Sequence, residues 1–296
     1  MKKNGELIIH SRERDLGGFN VHRVLPYIKK RAIGPFVFLD HMGPMKIDET
    51  HVLDVRPHPH IGLATVTYLF EGRGFHRDSI GSKQLIEPGD LNWMTAGRGI
   101  VHSERTPTED RDPNLKKSVH GVQIWVGLPK EHEECEPNFT NWQKDKFPSQ
   151  SLSEGFTAKL LLGEFQEKAS PVPTLWRTLY LDCECKANSN YEFSFGEEEI
   201  GFLIVAGSCE IDGHDLKVDD LILVGDPAQV SIKAKTDARV LVIGGKPFPE
   251  ERFIWWNFVS SSKERIHKAA DDWKNNRIGQ IEGETEFTPL PETPLP

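Results

Sequence analysis

The sequence predicts an all-β protein, built from two related β-barrel units in tandem and closed by a single C-terminal helix. Three observations predict it. Between about Pro57 and Leu128 the chain breaks roughly every 5 to 10 residues at glycine, proline or aspartate, and the pieces between are rich in β-branched and aromatic residues. A second block with the same rhythm runs from about Phe156 to Ile243. Laid over the first, its turn residues fall in the same order, Gly207 on Gly72, Asp220 on Asp90 and Gly225 on Gly97, as an internal duplication would place them. A length of 296 residues, about twice a usual single domain, accommodates both units.

In the first block, Ala64 to Phe70 reads as a strand ended by Glu71-Gly72, and Phe75 to Ser79 as the next, ended by Gly81-Ser82. Lys83 to Ile86 runs into Pro88-Gly89-Asp90, where proline pre-sets the first turn angle and glycine supplies the positive φ of a type II turn. Leu91 to Thr95, closed by Gly97-Arg98-Gly99, then Ile100 to Glu104 and Ser118 to Val126 complete the unit. Pro129 to Gly155 is polar with little periodicity and reads as a linker. In the second block, Gly201 to Val205 ends at Ala206-Gly207, Ser208 to Ile211 at Asp212-Gly213, and Leu221 to Val224 at Gly225. Ser261-Ser262-Lys263-Glu264 has the spacing of a capping box, and Ile266, Ala269, Ala270 and Trp273 follow at helical intervals, so a helix is expected that closes by Gly279. The tail, with Pro289, Pro291, Pro294 and Pro296, leaves the helix and runs extended over the surface or a partner. The expected division is a barrel over 1–128, a linker over 129–155, a second barrel over 156–250, and a helix with its tail over 251–296.

Thirty-six Lys plus Arg against 45 Asp plus Glu give a net charge of -9, with no basic block, which argues against a nucleic-acid partner. No stretch reaches the ~18 apolar residues of a membrane span, and no apolar segment follows Lys2 and Lys3, so a cytoplasmic protein without membrane contact is expected. A nuclear address would need a eukaryotic source, and no Lys/Arg cluster supplies a signal for one. The four cysteines are too scattered for a disulfide framework; Cys183 and Cys185 can share a strand face but read as small buried hydrophobes.

Histidine carries the chemistry. Of 12 in the chain, seven (His41, His51, His58, His60, His76, His102 and His120) lie between residues 41 and 120. His58-Pro59-His60 puts two imidazoles at i and i+2 of an extended segment, hence on one face, and Pro57 and Pro59 suit the edge of a sheet because they remove two backbone donors. His102-Ser103-Glu104 repeats the spacing. If the two strands are barrel neighbours, three imidazoles and a carboxylate surround one point, a donor set that suits Fe(II), Mn(II), Ni(II), Cu(II) or Zn(II) and does not choose among them. His76 and Asp78 share a strand face and sit either behind a ligand or in solvent.

The runs His58-Pro59-His60, Thr65-Val66-Thr67-Tyr68-Leu69, Glu71-Gly72, His76-Arg77-Asp78-Ser79, Pro88-Gly89-Asp90 and Trp93-Met94-Thr95-Ala96-Gly97-Arg98-Gly99-Ile100-Val101-His102-Ser103-Glu104 resemble the signature of the pirins, members of the cupin superfamily. The likeness continues through Gly121-Val122-Gln123-Ile124-Trp125, Gly244-Gly245-Lys246-Pro247 and Ile254-Trp255-Trp256-Asn257-Phe258-Val259-Ser260-Ser261, so it covers most of the chain. It implies a bicupin: two tandem cupin barrels of the double-stranded β-helix or jelly-roll type, the first binding Fe(II) through His58, His60, His102 and Glu104, the second usually without metal. Two functions follow from the resemblance. One is a metal-dependent dioxygenase of the quercetinase type (quercetin 2,3-dioxygenase, or flavonol 2,4-dioxygenase), an oxidoreductase that cleaves a flavonol with O2. Glu104 would then accept the flavonol hydroxyl proton, and Phe70, Phe75, Trp93, Met94 and Trp125 are candidates for the pocket wall or for ordinary barrel core. The alternative is a regulatory protein acting through a protein partner, as a transcriptional coregulator or a modulator of a metabolic enzyme, with iron as structural element or redox sensor. For that reading the acidic runs Glu131-His132-Glu133-Glu134 and Glu197-Glu198-Glu199 are the surfaces to consider. The dioxygenase is the stronger expectation, because an open mixed-ligand site exceeds what structure requires.

The sequence departs from the family where many pirins carry an arginine after His-x-His and a glutamate three residues on; here Ile61 and Ala64 stand there. In the second block, counting back from Gly207 by the spacing of His58 and His60 from Gly72 lands on Phe193 and Phe195, which cannot ligate, and His214 beside Gly213 reads as a turn residue.

Overall fold

The computed structural model describes residues 5–16, 19–47, 52–115, 117–196 and 198–296; Met1 to Asn4, His51 of the histidine cluster and Glu197 of the acidic run lie outside the described residues. The chain forms two compact units, one of residues up to 13, 22–41 and 145–248, the other of residues 14–21, 42–144 and 249–296.

In the second of these, strands Asn138–Trp142, Leu91–Thr95, Leu63–Glu71 and Ser118–Gly127 lie side by side in that order, and Asp54–His60, Ile100–Arg105, Gly74–Asp78 and Lys83–Ile86 form a four-stranded sheet. The His58 strand is the edge of that sheet, where Pro57 and Pro59 forfeit no ladder bond on their open side. The other unit repeats the plan. Asp220–Leu223, Glu199–Ala206 and Ala238–Gly245 are consecutive in one sheet, and Asn190–Phe193, Val230–Ala234, Ser208–Ile211 and His214–Lys217 make up a four-stranded one. Both are cupin barrels. The duplication extends to backbone detail: Gly72 (φ 79°) and Gly207 (φ 72°) occupy matching turns, and a Cβ on either would lie 2.2 Å from the Ser118 carbonyl oxygen or 2.1 Å from that of Asp237.

Local chemistry sets most element boundaries. At Pro88-Gly89 the turn forms as expected, with Gly89 at φ 85° and the Asp90 N–H donating to the Glu87 carbonyl at 3.0 Å. The helix runs Lys263–Lys274 and buries Ile266, Ala269, Ala270 and Trp273, the predicted stripe. Its cap lies one residue later than the capping-box spacing suggests. Ser262, not Ser261, is the N-cap, its hydroxyl accepting from the Arg265 N–H at 3.2 Å and donating to Glu264 at 2.6 Å. With Trp255, Phe258, Ile61 and Val101 the helix closes one apolar cluster.

Residues 129–155 hold more structure than a linker. Asn138–Trp142 pairs along Leu91–Thr95, and Ser149–Ser153 pairs with Phe156–Leu162. Glu133 is no free acidic surface either, because it is buried against Arg252, and Glu134 pairs with Arg265 at 2.6 Å. Residues 251–296 belong to the unit of the first barrel. Their tail is extended and tied to that unit: Phe287 stacks on Trp273 with ring centroids 4.5 Å apart, and the Thr288 N–H donates to the Pro57 carbonyl at 3.2 Å.

The second barrel is filled with carbon and sulfur. Phe156, Phe193, Phe202, Cys183, Cys185 and Cys209 are all buried in one cluster, and burial raises all three thiols, Cys209 to about 11, so none is a nucleophile or a ready ligand. Strand register corrects the residue count made from sequence. His60 faces Ile100 and His58 faces His102, whereas Phe193 faces Val230 and Tyr191 faces Ile232. The structural equivalents of His58 and His60 are therefore Tyr191 and Phe193, because the connection from Phe193 to Glu199 is three residues longer than that from His60 to Leu63 and the following strand, Glu199–Ala206, is one residue shorter than Leu63–Glu71, which shifts a gapless count by two. His214 opens its strand right after the Gly213 turn and pairs with Glu6 at 3.2 Å.

Candidate metal centre

The two histidine-bearing strands are antiparallel neighbours. His102 stands opposite His58 and Ile100 opposite His60. The ligand atoms of His58, His60 and His102 all lie within 4.8 Å of one another, and all three side chains are buried. The tautomers of His58 and His60 are set from behind. The Nδ1 of His58 faces the Arg56 carbonyl at 2.8 Å and that of His60 the Asn257 carbonyl at 3.0 Å, so in each ring Nδ1 carries the proton and Nε2 keeps its lone pair. The Nε2 of His60 lies only 3.1 Å from the Nε2 of His102. The Nδ1 of His102 is buried without a hydrogen-bond partner, and three buried imidazoles whose ring nitrogens converge are the donors a divalent first-row metal takes.

Beside Ser103 the register between the two ligand strands shifts, the His58 strand placing two residues, Arg56 and Pro57, opposite Ser103 alone. Glu104 faces Val55 instead of Arg56, while on its other side it stays in regular register with His76. The bulge therefore lies in the His58 strand, just before His58, while the strand of His102 and Glu104 runs regularly. Glu104 is buried beside the group but is not one of the three residues whose ligand atoms converge; its Oε1 accepts from the Thr67 hydroxyl at 2.8 Å. That hydroxyl has one proton and also lies 2.8 Å from the Gln123 side chain, so the amide group of Gln123 must donate to it while it donates to Glu104.

The pocket-wall candidates divide by strand face. Trp125, Thr65, Met94 and Phe139 are cross-strand neighbours in one row, and Gln123, Thr67, Asn92 and Asn141 in the next. Both rows share the face of the site, since Thr67 reaches Glu104 and the Trp125 ring packs edge-on to His60 at 4.9 Å. Trp93 and Phe70 have the opposite parity and face away from the imidazoles, Trp93 donating to Thr95 and Phe70 packing on Tyr68 and His120. Phe75 alternates with His76 and lies on the outer face. His76 is buried behind the trio, 5.3 Å from the His102 ring, hydrogen-bonded to Asp78 at 3.0 Å and stacked on Phe139 at 4.3 Å. The sequence reading missed Thr67, Gln123, Asn257 and Phe139. The period-2 alternation of their strands flags Thr67 and Gln123, whereas Asn257 and Phe139 arrive from distant segments with no local mark.

Burial governs the charges. It lowers His58 to about 4 and His60 and His102 well below the usual imidazole value, while raising Glu104. The unfolded chain therefore takes up protons on the three imidazoles first, near 6.5. Stability from the neutral trio is complete above about pH 6.5 and is lost as pH falls toward 4. Glu104 acts with opposite sign, one carboxylate against three imidazoles. The melting temperature of metal-free protein held in chelator should decline across this window, and a flat profile would contradict the buried neutral trio.

The sequence profile of the pirin family matches residues 18–126, and that of the pirin C-terminal cupin domain matches residues 180–279. A pirin-like protein of Caulobacter vibrioides is 41% identical over 293 residues, covering 97% of this chain and 99% of its own length. Human pirin is 29% identical, covering 94% of each chain. Among solved structures, a quercetin 2,3-dioxygenase from Acinetobacter baumannii superposes with a TM-score of 0.90 at 34% identity, over 98% of this chain and 96% of that one. With matched motifs in both barrels and near full-length identity to its relatives, this chain belongs to the pirin family.

Proposed function

We propose that the protein is an Fe(II)-dependent dioxygenase of the quercetinase type, acting on a flavonol and O2 in the first barrel, with no metal in the second. The observation that carries this reading is the trio His58, His60 and His102, buried, neutral and convergent beside a carboxylate. The likeness to the Acinetobacter baumannii quercetin 2,3-dioxygenase supports the substrate class. When bound, the metal would supply a Lewis acid with open positions for substrate and O2.

The chain's own groups do the rest. His58 and His60 hold their Nε2 atoms toward the site through their carbonyl partners. Glu104, as fourth ligand or free base, takes the flavonol hydroxyl proton at a carboxylate oxygen; burial raises its proton affinity, and Thr67 orients it. Trp125 and Met94 offer the flat apolar wall on the inner face. For the second barrel, Tyr191, Phe193, Ile232 and Ala234 stand where the first has His58, His60, His102 and Glu104, and that set holds no imidazole or carboxylate.

The test is to load metal-free protein anaerobically with Fe(II), add quercetin and O2, and follow oxygen uptake together with flavonol loss. Matched consumption of both is the expected result. No turnover with any first-row divalent metal would overturn the enzyme reading.

A further inference from the structure

Strand Ile100–Arg105 presents His102 and Glu104 to the barrel interior and Ser103 and Arg105 to the outside. The outer face is gripped by the C-terminal tail. The carboxylate of Glu284, only 10% exposed, accepts from the Ser103 hydroxyl at 3.2 Å, from Arg105 at 2.9 Å and from Arg77 at 3.3 Å. Glu286 pairs with the same Arg105, Arg105 also reaches Asp54 at 2.5 Å, and Arg77 donates to the Glu282 carbonyl. Two residues beyond Glu286, Thr288 is tied to Pro57 of the other ligand strand. Tail residues 282–288 thus fasten both strands that carry the imidazoles. Ser103, between His102 and Glu104, lies opposite the bulge of the His58 strand, and Glu284 holds it directly. Between tail and strands, with Pro57, Val101, Trp273, Ile281 and Phe287 among its lining, remains a cavity of about 580 Å³, so this grip rests on discrete polar contacts more than on continuous packing.

We propose that Glu284 is a positioning residue for the metal centre, holding the His102 strand from outside where its pairing with the bulged His58 strand is interrupted, so that its inner face keeps the ligand geometry. The inference rests on the ligand set described above and not on the dioxygenase reading. Its logic is mechanical. Opposite a bulge a strand has fewer ladder bonds to define its path, and a largely covered carboxylate bonded to three donors beside it restricts that path. Removing the carboxylate frees Ser103, leaves Arg77 with the Glu282 carbonyl and Arg105 with Asp54 and Glu286, and so loosens the His102–Glu104 segment while the barrel core is untouched.

The experiment uses full-length protein loaded with Co(II), whose visible absorption reports ligand geometry, and measures both that spectrum and the rate of Co(II) release to excess chelator. Glu284→Ala is expected to speed release about tenfold, a loss of roughly 1.4 kcal/mol if it falls wholly on release, and to alter the spectrum. Glu284→Gln, which keeps an acceptor oxygen for Ser103 or Arg105, should lie between that variant and the parent. Should Glu284→Ala not fold, the Gln variant carries the comparison. A lower melting temperature with release within twofold of the parent and an unchanged spectrum would overturn the inference, leaving Glu284 a fold residue only. Failure of the parent to bind Co(II) would overturn the ligand set and this inference together, whereas absent quercetin turnover with normal Co(II) binding bears on the dioxygenase reading alone.

Discussion

A His58→Ala, Glu104→Ala double variant is expected to purify folded but without metal, and to consume neither quercetin nor O2. His58 is one of three converging imidazoles, and Glu104 is the one buried carboxylate held beside them by Thr67. Losing one nitrogen donor leaves at most two imidazoles, too few for a closed or catalytic site of first-row metals. Removing Glu104 also takes away the group proposed to accept the substrate proton. The fold should survive, because His58→Ala removes one of three buried imidazoles crowded together, and the Glu104 position lies outside the apolar clusters that hold the unit. Metal analysis of freshly purified protein, beside a thermal melt, checks both halves. Metal content equal to the parent would overturn the assignment of these ligands.

Arg252→Met should destabilise the unit containing the first barrel by about 3–5 kcal/mol, the cost typical of breaking a buried ion pair from one side. Arg252 and Glu133 have side chains only 4% and 7% exposed and meet at 3.0 Å. Arg252 also donates to the Leu128 carbonyl at 3.0 Å, and Glu133 accepts from the Ser260 hydroxyl at 3.0 Å and the Ser261 N–H at 2.8 Å. The substitution therefore strands a buried carboxylate next to the residues that lead into the helix cap. The Glu133→Gln, Arg252→Met double variant should lose much less than the sum of its two single changes, since no buried charge is then left unpaired. Denaturant unfolding of the four proteins supplies the cycle, and additive losses would show that the pair does not act as a unit. Asn257, whose carbonyl sets the His60 tautomer, lies five residues from Arg252, so weakened metal retention should accompany the lost stability.

Much of this protein is legible in its local sequence. Lys83–Ile86, Leu91–Thr95 and Ser208–Ile211 have the bounds read from their turns, because glycine and proline act within a few residues of where they stand. The metal trio is legible for a similar reason. An i, i+2 pair on a strand needs no tertiary information to share a face, and His58 with His60 satisfies that. The helix stripe of Ile266, Ala269, Ala270 and Trp273 is equally local, whereas its cap slips by one residue because two consecutive serines offer the same hydroxyl.

What the sequence left open depends on distance along the chain. The stretch 129–155 reads as linker because its strands alternate weakly, and they form by pairing with Leu91–Thr95 and Phe156–Leu162, which supply the ladder that propensity does not. The equivalence of the two barrels was displaced by two residues because a longer connection at 194–198 and a shorter strand after it break the count, which only strand register reveals. Face assignment separated Met94 and Trp125 from Phe70, Phe75 and Trp93, since aromatic character alone does not say which side of a sheet a residue takes.

By itself the sequence determined two β-units, their turns, the closing helix and three imidazoles on two strands, all consequences of periods and dihedral preferences that operate over a handful of residues. Only the tertiary structure decided that the imidazoles converge, that Glu104 lies beside them accepting from Thr67, and that the Asn257 carbonyl and the Glu284 carboxylate hold the ligand strands from segments more than 150 residues away. Hydrogen bonds reach about 3 Å in space irrespective of separation in the chain, so folding must bring such partners together before they are visible.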